Sequence, residues 1–108
     1  MLHVIQRADL IANPSTQTVK FEGEPYGADV SFFIAHRSAE LHRHPYAETF
    51  VVHAGRALIT AGEQQVEAGP AEIVVVGPET PHKFERFGRQ RLEIVCIHAS
   101  GRMITQWL

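Results

Sequence analysis

A chain of 108 residues is enough for one domain with a modest core, and it is read as a single domain over residues 1–108. Its formal net charge is −2, and its ten Lys and Arg residues are scattered rather than gathered in a stripe, which excludes nucleic acid as a main partner. No apolar run is long enough to cross a membrane, residues 1–7 lack the apolar stretch of a signal peptide, and the one cysteine, Cys96, has no disulfide partner, so the expectation is a cytoplasmic protein. In chain order, Met1 to Ile5 reads as a short strand, and Ala8 to Pro14 as a helical turn stopped by Asn13-Pro14. Thr16 to Glu22 alternates, with Val19 and Phe21 on one side and Thr18, Lys20 and Glu22 on the other, which is the period of a half-buried strand. A loop over Gly23 to Asp29 leads into Val30 to Ala35, apolar enough for a strand covered on both faces.

Beyond His42-Arg43-His44-Pro45-Tyr46-Ala47-Glu48, strands are expected at Thr49 to His53, Ala57 to Thr60, Gln64 to Glu67, Ile73 to Val76, His82 to Phe87 and Leu92 to His98. Glycine and proline clusters separate them. The count is about eight to ten short strands with no helix–strand alternation, so the fold class is all-β, a sandwich or barrel. Ser100 to Leu108 is the exception. Met103, Ile104 and Trp107 fit one helical face with Ser100 as its N-cap, giving a short C-terminal helix or tail that must dock on the barrel or on a second copy.

Seven histidines in 108 residues is a high count, and three of them cluster by pattern. Side chains two apart on a strand point the same way, so His42 and His44 lean toward one point. Glu48 follows after a turn, and His82 opens a later strand that reaches the same point from an antiparallel neighbour. Three imidazoles and a carboxylate make a site of borderline softness, suited to one divalent transition metal among Fe, Mn, Ni, Zn, Co and Cu. His3, His36 and His53 read as ordinary surface or hydrogen-bonded histidines. His98 shares parity with Leu92, Ile94 and Cys96, which offers it as a catalytic proton donor or acceptor inside the barrel. The plainer alternative is a surface histidine at a strand end.

The run His42-x-His44-x-x-x-Glu48-x-x-x-x-x-x-Gly55 resembles, without a gap, the first motif of the cupin superfamily. The second cupin motif, Gly-x5-Pro-x-Gly-x-x-His-x-x-x-Asn, is met at its histidine by His82. Ala71 stands at its first glycine, Gly77 at the proline, Glu79 at the second glycine and Arg86 at the asparagine. His36 stands where a glycine is expected before the first motif. The departures concern turns, not ligands. The resemblance covers roughly residues 30–98 and implies a small cupin: a jelly-roll barrel, or antiparallel double-stranded β-helix, with His42, His44, Glu48 and His82 converging inside it, and frequent homodimers.

Three functions follow as expectations. The first is a metalloenzyme acting on a small organic molecule, with oxidoreductase or dioxygenase chemistry. Four protein ligands on an octahedral ion leave two positions for water, substrate or dioxygen. Phe32, Ile34, Phe50, Val52, Phe84, Ile94 and Cys96 would line its pocket. The second is an isomerase, cyclase or lyase using the metal as a Lewis acid. The third is a non-catalytic module holding a sugar, metabolite or metal. Fold does not choose among them. The expected partners are a small-molecule ligand and a second copy of the chain.

Overall fold

The computed structural model describes residues 4, 6, 18–21, 27–35 and 40–108. The expected strand at Met1 to Ile5, the helical turn at Ala8 to Pro14, and the residues His3 and His36 lie outside the described residues. Ten strands are present among those described: β1 Thr18–Phe21, β2 Asp29–Ala35, β3 His42–Arg43, β4 Glu48–Ala54, β5 Ala57–Ala61, β6 Gln64–Ala68, β7 Ile73–Val76, β8 His82–Arg86, β9 Leu92–His98 and β10 Gln106–Trp107. They form two five-stranded antiparallel sheets, ordered β1-β2-β9-β4-β7 and β10-β3-β8-β5-β6. No helix among the described residues is long and apolar enough to cross a membrane.

Alternation in the sequence becomes burial in the structure. Along β4, Glu48, Phe50 and Val52 are buried while His53 is exposed, and along β8, His82 and Phe84 are buried between exposed Lys83 and Glu85. β9 runs through the centre of its sheet between β2 and β4, so nearly all of its side chains are covered. Phe50, Val52, Phe84, Ile94 and Cys96, expected as pocket lining, instead pack with Ile59, Val76 and Leu92 as the core. Phe50 and Phe84 meet there edge to face. Burial pushes the Cys96 thiol well above its usual range, as suits an inert core cysteine.

The C-terminal segment corrects one expectation: it is not a helix. Gln106 and Trp107 pair with Arg43 and His42, making β10 the edge strand beside β3. The Leu108 N–H donates to the Leu41 carbonyl at 3.1 Å, and the Ile104 N–H to the Tyr46 hydroxyl at 2.9 Å. A nine-residue helix gains little from its own hydrogen bonds. The open edge of β3 offers backbone partners to an extended chain, and Ile104, Thr105 and Trp107 favour that conformation.

Candidate metal centre

Register sets the site. In one sheet His42 lies directly opposite His82. In the other, Glu48 lies opposite His98, which in turn lies opposite Asp29. Directly opposed residues point to the same face. One sheet therefore contributes an inward row of two histidines, and the facing sheet an inward row of carboxylate, histidine and carboxylate. His44 completes the group from just beyond β3, where Pro45 ends the strand. Ligand atoms of His42, His44, Glu48 and His82 lie within 4.8 Å of one another, and all four residues are buried. Ligand bonds of about 2.1 Å span donors up to about 4.2 Å apart, so movements of a few tenths of an ångström would close a shell on one ion. The sequence-derived group is thus one cluster capable of binding metal.

Hydrogen bonding fixes which ring nitrogens face inward. Nδ1 of His42 donates to the Glu40 carbonyl at 2.7 Å, Nδ1 of His44 to the Ile104 carbonyl at 2.7 Å, and Nδ1 of His82 to the Thr80 carbonyl at 2.8 Å. A carbonyl oxygen only accepts, so each Nδ1 carries the proton and each neutral ring turns a lone pair at Nε2 toward the centre. There, Nε2 of His44 and of His82 lie 3.2 and 3.0 Å from Oε1 of Glu48, and Nε2 of His44 makes no hydrogen bond. Lone pairs facing a carboxylate require positive charge between them. Protonating His42 is a poor source of it, because burial is the largest influence on that ring and lowers its pKa. A shared cation satisfies every one of these atoms, and in this respect the residues fit a divalent metal.

Burial alone would raise the Glu48 carboxyl. The imidazoles of His44, His82 and His98 gathered around it outweigh burial and hold the carboxyl well below the usual carboxylate range. Glu48 is therefore available as an anionic ligand throughout the physiological range.

His98 is buried, which overturns the reading of it as a strand-end surface residue. It differs from the other three histidines because no backbone carbonyl fixes its ring. Nε2 lies 2.9 Å from Oε1 of Glu48, and Nδ1 lies 3.2 Å from Oδ1 of Asp29. It stands behind Glu48 as a bridge between two buried carboxylates.

Sequence reasoning missed two contributors. Asp29, fully buried against His98, reads in the sequence as the end of a loop. Its only signal is its place immediately before an apolar strand. Tyr46 lies between the motif residues, stacks on His44 with ring centroids 5.1 Å apart, and anchors the C-terminal segment through Ile104. His53, read as ordinary, is exposed on the outer face, 3.8 Å from Glu93 and away from the cluster.

Comparison with known proteins agrees with this architecture. The uncharacterized protein MJ1618 of Methanocaldococcus jannaschii is 33% identical over 57 residues, which is 52% of this chain and 46% of that protein. The match thus spans about half the length of that curated relative. A Klebsiella pneumoniae conserved protein with a double-stranded β-helix domain superposes with a TM-score of 0.78 at 17% identity, covering 98% of this chain and 96% of that one. Bacillus subtilis oxalate decarboxylase, a protein with Mn(II) centers, superposes with a TM-score of 0.64 at 18% identity, covering 75% of this chain but 23% of the enzyme. At such identities the likeness is one of fold. The Cupin domain model of the Cupin_2 family matches residues 31–98, from β2 to the end of β9 and with all four members of the His-Glu cluster inside it, so the chain belongs to the cupin domain family.

Proposed function

We propose that the chain is a metalloenzyme that holds one divalent transition metal, iron or manganese, on His42, His44, Glu48 and His82 and carries out oxidoreductase chemistry on a small organic molecule. The carrying observation is the set of three Nδ1–H bonds to backbone carbonyls, which leaves three Nε2 lone pairs and one ionised carboxylate oxygen converging in a buried space. A metal bound there supplies Lewis acidity and, if iron or manganese, one-electron redox chemistry. The Mn(II) centers of the structurally similar Bacillus subtilis enzyme support manganese as one candidate. The chain's own residues do the rest: the carbonyls orient the imidazoles, and the apolar core beside them excludes water.

Elemental analysis of protein purified without an affinity tag tests the reading. Near-stoichiometric iron or manganese is the expected result. Zinc or nickel would redirect it to Lewis-acid isomerase or lyase chemistry, and no metal would defeat it. The same preparation carries a pH test. Protons compete with metal for the Nε2 lone pairs, so binding is retained at neutral pH and weakens in acid, and burial, which lowers the His42 pKa, moves that loss further into acid. Dialysis at pH 4 with a chelator should strip the metal. Full occupancy after that treatment counts against a three-histidine site.

We assign His98 as a positioning residue for Glu48. Partners of this kind typically alter metal affinity by about 10–100-fold. His98→Ala should weaken binding within that range, and His98→Gln, which keeps a donor for Glu48, should recover part of the loss. Identical affinities across the wild type and both variants would remove the assignment.

A homodimer is the proposed assembly. Ile104, Trp107 and Leu108 leave an exposed apolar strip along the β10 edge. Light scattering at micromolar concentration should report twice the 12.1 kDa chain mass, and the monomer mass alone would rule the dimer out.

A further inference from the structure

We propose that residues 103–108 form a strap that makes His44 a competent ligand, so that metal binding and docking of the strap on β3 strengthen each other, with Tyr46 as the positioning residue that latches it. The proposal rests on the metalloenzyme reading and adds to it the element that decides whether one of the four donors is in place.

The three histidines are not held alike. His42 and His82 each bond the carbonyl two residues before them, those of Glu40 and Thr80. Such acceptors are supplied by the local turn. His44 depends instead on a remote one. Its Nδ1 donates to the Ile104 carbonyl, 60 residues away, and the oxygen behind it, Oγ1 of Thr105 at 3.4 Å, belongs to the same segment. Both acceptors leave together when that segment lifts. The ring can then turn and carry its proton on either nitrogen. A proton on Nε2 removes the lone pair that a metal needs.

The strap lies on the outside of the barrel. None of residues 101–108 is buried, and β10 is a two-residue strand at the end of its sheet. It is attached by the Leu108 N–H to the Leu41 carbonyl at 3.1 Å and by the Arg43 Nε–H to Oε1 of Gln106 at 2.7 Å. The Trp107 ring lies beside His42, with centroids 5.2 Å apart. Tyr46 holds the other end. Its ring stacks on His44, its Oη accepts the Ile104 N–H at 2.9 Å, and the Ile104 carbonyl and the Met103 sulfur each lie 3.3 Å from that oxygen. One side chain thus holds the residue whose carbonyl holds His44.

An exposed segment of this kind opens locally while the core stays folded. A metal favours the docked form, because only there is Nε2 of His44 aimed at it. By linkage, the docked strap favours the metal by the same factor. Loss of a ligand's supporting partner costs about 10–100-fold in metal affinity, which sets the size of the coupling.

The test uses zinc as a diamagnetic probe ion. Deletion of residues 103–108, which contribute nothing to the apolar core cluster, should weaken zinc binding about 10–100-fold. In metal-free protein at pH ~8, nitrogen-15 spectra of the imidazoles should show His44 protonated at Nδ1 in the wild type and as a mixture of tautomers in the deletion, with His42 and His82 unchanged. In the full chain, zinc should slow amide exchange at Ile104 and Leu108 by about 10–100-fold relative to the Phe87 N–H, which bonds to Arg56 at the other end of β8. Tyr46→Phe keeps the stacked ring and removes Oη. It should speed exchange at Leu108 in the metal-free chain about two- to tenfold, although Leu108 is tied at the far end of the strap. If the deletion does not fold, the exchange measurements decide. Wild-type zinc affinity or an unchanged His44 tautomer in a folded deletion overturns the proposal. So does an exchange ratio that zinc leaves unchanged, and unchanged Leu108 exchange in Tyr46→Phe removes the latch. In each case zinc held by the wild type leaves the metal site standing. A wild-type chain that takes up no metal overturns that site and the coupling together.

Discussion

His82→Ala should abolish stoichiometric metal binding while leaving a folded barrel. His82 lies 38 residues after His44 in the chain and meets it only because β8 pairs with β3, placing His82 opposite His42. Its Nδ1 is already committed to the Thr80 carbonyl, so its Nε2 serves the centre alone. Removing the ring takes away one of four donors and leaves Glu48 Oε1 without its neighbour at 3.0 Å. Occupancy after purification should fall at least about tenfold, since loss even of a ligand's supporting partner costs that much. The fold should survive because it rests on apolar burial in the cluster of Phe50, Ile59, Leu92 and Ile94, none of which changes. His53→Ala is the matched control. It replaces the same residue type on the outer face of β4, where the side chain is more than half exposed. Metal content per chain, with circular dichroism for folding, reads both. Equal occupancy in the two variants would mean that the fourth ligand is wrongly assigned.

Why these ligands were legible in the sequence and other parts were not has a physical explanation. His42, His44 and Glu48 are close in sequence, and strand periodicity alone aims the two histidines together. His82 was legible because it opens an alternating strand. The second motif departs from its family at Ala71 and Glu79, which stand where glycines are expected. Those are the two non-glycine residues with positive φ among the described residues, at 69° and 61°. The turns before β7 and before His82 therefore keep the glycine-like backbone at these two positions without glycine, and the Glu79 N–H donates to the His44 carbonyl at 2.7 Å. A sequence pattern records residue types, whereas the ligand depends on the backbone path.

The C-terminal segment was misread for the complementary reason. Met103, Ile104 and Trp107 do have helical spacing, but the decision lay with the unpaired edge of β3, a feature of the tertiary structure that no local window contains. Asp29 belongs to the same class. A carboxylate beside a loop reads as solvated until the β2–β9 register sets it against His98. The pocket-lining set was misplaced because inward parity does not distinguish a filled core from an open edge. Phe50 and Val66 both point inward, yet Phe50 lies on β4 inside its sheet and is buried, whereas Val66 lies on the edge strand β6 and is exposed.

Gly55→Ala should be the most destabilising single-methyl change in the β4–β5 connection, and Gly62→Ala in the next turn should be mild. Both glycines have left-handed φ, +76° and +60°. That conformation costs a non-glycine residue about 1–2 kcal/mol, and the chain already tolerates it at Ala71 and Glu79. What separates the two is space. A Cβ on Gly62 would meet nothing nearer than the Thr80 methyl at 4.0 Å. A Cβ on Gly55 would collide with the carbonyl oxygen of Arg91 and lie 3.0 Å from Cα of Leu92. These are backbone atoms at the start of β9, the central strand, so no side-chain rotation relieves the contact. The turn must move away from β9, next to the irregularity between Val52 and Ala54 where the β4–β9 ladder already shifts register. We expect a loss of about 3 kcal/mol or more for Gly55→Ala and about 1 kcal/mol for Gly62→Ala, read from urea midpoints at constant m. Against a total stability of about 5–15 kcal/mol, the first is a large fraction. The site should report the same strain. β4 carries Glu48 and β9 carries His98, so loosening their ladder parts the carboxylate from the histidine behind it. Metal affinity in Gly55→Ala should fall together with stability, while Gly62→Ala retains both. Comparable urea midpoints for the two variants would show that the approach of Gly55 to Arg91 does not constrain the barrel.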